Sequence, residues 1–135
     1  IAGFKLGFTG TQQGMGLSQK RQFWRFIGRL PNLGEFHHGD CVGADKEAHD
    51  IVRAIWKHCR IVVHPPIIET KRAFCKGDVI LPPKDYIARN HDIVEVADLM
   101  IAAPAEHTEQ LRSGTWATIR WTKRQDKPLT IFYPE

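Results

Sequence analysis

The chain has 135 residues, the length of one domain, and residues 1–135 are read as a single domain. Hydrophobic residues at 42% and charged residues at 25% exclude a largely disordered chain. No apolar run approaches the ~20 residues a membrane-spanning helix needs, and the opening Ile1-Ala2-Gly3-Phe4-Lys5 lacks the basic-then-apolar pattern of a secretory signal. The formal net charge of +4 is mildly basic, which suits a polyanionic partner or a phosphorylated ligand.

Three cysteines, Cys41, Cys59 and Cys75, with no CxxC spacing, argue against a disulfide framework or a structural zinc, so a reducing cytoplasm is the expected location. Among the seven histidines, His37 and His38 are adjacent and would point to opposite faces of a strand. With no HxxxH or HExxH pair, no metal site is expected.

In chain order, Phe4–Phe8 reads as a strand ending in Thr9-Gly10-Thr11. Phe23, Phe26, Ile27 and Leu30 recur at helical spacing within a helix over 17–30, which Pro31-Asn32 stops. Residues 33–38 form a second strand, closed by Gly39-Asp40. Residues 44–57 form a second helix with Ala48, Ile51, Val52 and Ile55 on one face, and 60–64 a third strand. Residues 65–83 carry four prolines and read as irregular. A helix over 84–96, a strand over 99–103, a polar loop over 104–112, a helix over 113–125 and a last strand over 129–133 complete the chain. This alternation predicts an α/β fold: a Rossmann-like, doubly wound parallel sheet of about five strands with helices on both faces.

Ligands of such sheets bind beyond the carboxyl ends of the strands, so segments that follow strands are the candidates. Thr9, Gly10 and Thr11 open a glycine-rich turn whose free N–H groups and hydroxyls suit a phosphate, although the Lys-Ser/Thr pair of a Walker loop is missing. Gly39, Asp40, Gly43 and Asp45 lie between the second strand and its helix. Asp45 is placed to cap that helix or to bond His49 four residues on, and Asp40 to enter the crevice or cap the turn. Cys41 sits near the same helix start, where a thiol pKa is lowered. Arg89 could clamp a phosphate with its guanidinium fork, and Asn90, a poor helix-interior residue, could tie loops together. Arg112, Ser113, Gly114 and Thr115 open the last helix, with Ser113 as its N-cap. Trp116 reads as a core or interface aromatic.

The order of these segments resembles the Rossmann-like SLOG superfamily, which groups DNA-processing protein A with the Lonely Guy nucleotide hydrolases. Gly39, Gly43, Asp45, Ala48 and His49 fill the G-x-x-x-G-x-D-x-x-A-H pattern of the DNA-processing protein A core. Arg89, Asn90 and Ile93 fill its R-N-x-x-I helix, and Ser113, Gly114, Thr115 and Thr118 its S-G-[ST]-x-x-T turn, so the likeness spans residues 4–134. Two departures stand out. Thr11 and Gln12 occupy the region where the DNA-binding relatives carry Arg, and Thr118 stands where the Lonely Guy enzymes carry their catalytic Glu.

The resemblance implies a nucleotide or nucleotide-derived ligand, with no resident cofactor required. Its phosphate is expected over Gly10-Thr11 and Gly114-Thr115, with Arg89 and Arg112 nearby and Asp40 or Asp45 on a ribose hydroxyl. The +4 charge is then accounted for by Arg and Lys around that pocket. An N-glycosidase or phosphoribohydrolase is the first alternative, with Asp40 or Asp45 replacing the missing Glu. Single-stranded DNA binding through Lys71-Arg72, Lys123-Arg124 and Trp121 is the second. The likeness, with four tryptophans (Trp24, Trp56, Trp116 and Trp121), also implies a homo-oligomer, a dimer or tetramer.

Overall fold

The computed structural model describes residues 3–135; the first two residues of the N-terminal reading lie outside the described residues. In β1 (Lys5–Gly10), Leu6 and Phe8 enter one core cluster, while Gly7 lies against Met100, Ala97 and Ile93 on the other face. That period-two alternation lets one strand serve two helical layers. The chain continues through α1 (Leu17–Gly28), β2 (Glu35–His38), α2 (Ala44–Ile55), β3 (Arg60–Val63), β4 (Val79–Ile80), α3 (Tyr86–Val96), β5 (Leu99–Ala103), α4 (Gly114–Arg124) and β6 (Leu129–Ile131).

The strands form one parallel sheet in the order β4-β3-β2-β1-β5-β6. Helices α1 and α2 pack together, and α3 packs with α4. Phe8, Phe23 and Phe36 form the centre of the α1/α2 side, with ring centroids 5.4, 6.2 and 6.1 Å apart pairwise. Such edge and tilted contacts suit aromatic quadrupoles. Ile93, Val94, Ala97 and Met100 form a cluster on the other side.

One expectation is corrected. The stretch over 65–83, read as irregular, contains β4, paired with β3 through Val62↔Val79 and Val63↔Ile80, so the sheet of about five strands has six. Asp78 secures its start by accepting from the Ile61 N–H at 2.8 Å and from Arg53 at 2.7 Å. The stretch also makes a short 3-10 turn at Glu69–Lys71.

The chain winds outward from β1 to β4 on one side, then returns beside β1 with β5 and β6. The strand order therefore reverses between β1 and β5, the place where an open α/β sheet leaves a crevice. Gly10 lies opposite Ala103 there, so the loops after both strands leave at one level. No helix among the described residues is long and apolar enough to cross a membrane.

Candidate functional site

The reversal point holds a cavity of about 300 Å³. All four candidate segments reach it: Thr9, Gly10 and Thr11; Gly39 and Asp45; Arg89 and Asn90; Ser113, Gly114 and Thr115. The volume is at the lower end for a small-molecule site.

Two glycines shape it. Gly43 precedes α2 with φ of +91°, and a Cβ there would lie 2.3 Å from the Gln12 carbonyl oxygen. Only glycine combines that backbone with that approach. The β1 loop is held against α2 by the bond from the Ala44 N–H to the Thr11 carbonyl at 2.9 Å. Gly114 lies under the Tyr86 phenol, whose oxygen would be 1.4 Å from an added Cβ. Ser113 is the N-cap of α4, accepting from the Trp116 N–H at 3.2 Å. The N–H groups of Gly114 and Thr115 have no protein acceptor among the described residues, as the first N–H groups of a helix commonly do not.

Asp45 is the unusual group. Its Oδ2 accepts from the Cys41 N–H at 3.2 Å, yet its buried Oδ1 has no hydrogen-bond partner among the described residues. Burial pushes its pKa up to about 6, while nearby Arg89 and the Cys41 N–H act in the opposite direction. A buried acceptor without a donor is costly, and Asp45 is among the residues that line the cavity. The expected roles of Asp45 as helix cap and His49 partner are both absent: no side chain caps α2, and His49 Nδ1 faces His38.

Arg89 is 3% exposed, so it is no solvent-facing arginine. Its fork is largely engaged. Nη1 donates to the carbonyls of Gly39 and, at 3.0 Å, His64; Nε donates to Asn90 Oδ1 at 2.8 Å; Nη2 meets Cys41 Sγ at 3.8 Å. Arg89 therefore joins the ends of β2 and β3, and Asn90 orients it as a tie of the kind expected. The thiol of Cys41 is not lowered by its helix start. Burial, followed by the charge of Asp45, raises its pKa to about 11.

Three candidates lie elsewhere. Asp40, with φ of +54° and no exposure, turns away from the cavity. It accepts from the Cys75 N–H at 2.9 Å and from Arg72 Nε at 3.1 Å, tying the 72–75 segment to the β2 turn. Gly43 supports the cavity from behind without lining it, and Arg112 is exposed on the loop before α4. The expectation that basic residues surround the pocket is corrected too. Among the described residues Arg89 is the one Lys or Arg on the lining, against Asp45 and Glu106. Arg21, Arg25 and Arg29 stand exposed along α1 and its cap, with no ion pair among the described residues.

Sequence reasoning missed Glu106, which sits in a polar loop without a motif. Its Oε1 accepts from Trp116 Nε1 at 2.9 Å, and Trp116 itself is buried in core. A tryptophan in the first turn of α4 needing an indole acceptor was the available signal.

The histidines divide by face as their adjacency predicts: His37 Nδ1 is 2.8 Å from His64 Nε2, and His38 Nε2 is 2.9 Å from His49 Nδ1. The fold also brings Cys75 beside His38 and His49, with ligating atoms within 4.8 Å of one another, a cluster that spacing did not foresee. Its protons are assigned by geometry. His38 Nδ1 accepts from the Asp40 N–H at 3.0 Å, so the neutral ring carries its proton on Nε2 and donates it to His49. A cation on Nε2 would leave His38 as an imidazolate, so this donor set does not fit a metal.

No protein-family model matches the chain, and no curated protein does. Solved structures do. The chain is similar to the molybdenum cofactor binding protein of the phototrophic bacterium Rippkaea orientalis, with a TM-score of 0.71 and 15% identity over 98% of this chain and 77% of that one. It is similar to the protein TM1055, with a TM-score of 0.64 and 16% identity over 93% and 72%. It is similar also to DNA processing protein A of Helicobacter pylori, which binds single-stranded DNA, with a TM-score of 0.66 and 17% identity over 95% of this chain and 64% of that one. The chain thus has the Rossmann-like α/β fold that the SLOG resemblance implies.

Proposed function

We propose that the crevice between β1 and β5 binds a nucleotide or nucleotide-derived small molecule. One observation carries this reading: Asp45, whose buried Oδ1 has no partner among the described residues, lines one cavity with Gly114 and Thr115, whose N–H groups have no protein acceptor there. A ribose hydroxyl supplies the donor that the carboxylate lacks, and an anionic group suits the α4 amino end. The likeness to a cofactor-binding protein is in keeping with a small-molecule ligand. Calorimetry against nucleosides and nucleotides tests it, with loss of binding expected in Gly114→Trp. No heat from any member overturns it.

In an enzymatic version, an N-glycosidase, Asp45 is the acid left to act, since Asp40 is committed to Arg72 and Cys75. Release of free base, abolished in Asp45→Asn, is its signature.

A second reading, single-stranded nucleic-acid binding, has its own support. Arg21, Arg25 and Arg29 recur every fourth residue on one helix face beside Trp24, which is 52% exposed. Arg72, named for this role in the sequence, is instead bound to Asp40. Affinity for an oligonucleotide that falls steeply with salt, and falls further in Trp24→Ala, is expected. Residues 1–135 are taken as one domain that self-associates, which light scattering tests.

A further inference from the structure

We infer that the crevice selects a ligand carrying a ribose-type hydroxyl and no more than one negative charge, a nucleoside or a singly charged phosphodiester of one. This rests on the crevice reading above and narrows it. Phosphate monoesters and polyphosphates are the disfavoured class.

The inference comes from the charges and hydrogen-bond capacities of the lining. Two carboxylates line the cavity, Asp45 and Glu106, against the single cation Arg89. Arg89 cannot offer the two parallel N–H groups that grip a phosphate. Three of its five N–H groups go to the Gly39 and His64 carbonyls and to Asn90, and Nη2 already meets Cys41. Arg112, the other expected cation, does not line the cavity. The hydroxyls of Thr9 and Thr11 and the N–H groups of Gly114 and Thr115 can solvate one anionic oxygen pair. They carry no full charge to offset a second. The Tyr86 ring, seated on Gly114, narrows the approach to that helix end further.

The acceptor side is the reverse. Asp45 lines the cavity, and its buried Oδ1 has no donor among the described residues, so a ligand O–H or N–H that reaches it gains a bond the chain does not supply. Each added negative charge on a ligand meets Asp45 and Glu106 in a partly dry site, where like charges repel strongly.

The experiment is calorimetry with one base carried as ribonucleoside, 2′-deoxynucleoside, 3′,5′-cyclic monophosphate, 5′-monophosphate and 5′-triphosphate. The wild-type chain is expected to bind the nucleoside or the cyclic monophosphate about tenfold or more tightly than the 5′-triphosphate. Which of those two binds more tightly separates an uncharged ligand from a singly charged one. Asp45→Asn should weaken the ribonucleoside and narrow its lead over the 5′-monophosphate to about twofold, because it removes a repelling charge together with the acceptor. Asn keeps a carbonyl oxygen for the Cys41 N–H, so the fold is retained, and a circular dichroism melt checks this. Tighter binding of the 5′-monophosphate or triphosphate than of the nucleoside by the wild-type chain overturns the inference while leaving the crevice reading intact. Absence of binding by the whole series overturns both.

Discussion

Asp40 and Asp45 flank the same turn after β2, and both carboxylates are buried. Asp40 has its charge answered on both oxygens, by Arg72 and by the Cys75 N–H. Asp45 has one oxygen answered and one bare. A satisfied buried carboxylate holds segments together; an unsatisfied one raises the free energy of the folded chain. In this turn the aspartate that ties segments together and the aspartate proposed to meet a ligand are therefore different residues.

The largest effect expected from that contrast is at Asp40. Asp40→Ala leaves Arg72 and the Cys75 N–H without their acceptor, and a loss of about 4 kcal/mol is expected in denaturant unfolding. A loss below about 1 kcal/mol would show that the tie is dispensable.

Next comes acid. Burial lowers the pKa of His64 to about 4 and lowers that of its partner His37, whose Nε2 faces Glu35. A histidine whose folded pKa lies below its unfolded value contributes stability above pH ~6.5, and that contribution is lost as pH falls toward 4. A drop of about 2 kcal/mol across that window is expected from chemical denaturation at several pH values, with a shallower slope in His64→Gln.

Asp45 acts with the opposite sign. Its folded pKa is raised to about 6, so its contribution is fully present below the unfolded value near 3.8 and is lost as pH rises through 6. Asp45→Asn should thus be more stable than wild type at neutral pH, by roughly 1 kcal/mol, with the gain vanishing by about pH 4. A destabilised Asp45→Asn at neutral pH would erase the distinction between the two aspartates.

The smallest effect belongs to Gly114→Ala. The methyl group displaces the Tyr86 ring, an exposed side chain that can swing aside, so stability should change by about 0.5 kcal/mol or less. Ligand affinity should change far more, and tyrosine fluorescence reports the displaced ring.

Much of this was legible in the chain. Apolar runs alternating with helical periodicity gave the parallel sheet, and the rule that loops after strands share one end gathered ten candidate residues on one cavity. The different fates of Asp40 and Asp45 were not legible, because their partners lie at positions 72 and 75 for one and at 41 for the other. Arg89 read as a free fork, since nothing in its neighbourhood announces carbonyls supplied by residues 39 and 64. Glu106 was hidden in a loop without periodicity. The strand β4 escaped notice because two residues between Asp78 and Pro82 are too few to show alternation.

The brevity of β4 has a consequence for the molecule among its neighbours in a crowded solution. An edge strand exposes a row of backbone groups that can recruit another chain. Here the edge is two residues long, and Pro82 and Pro83, which lack N–H groups, follow within three positions. A sheet of six parallel strands is thus blunted on that side, and an incoming strand finds almost no ladder to extend.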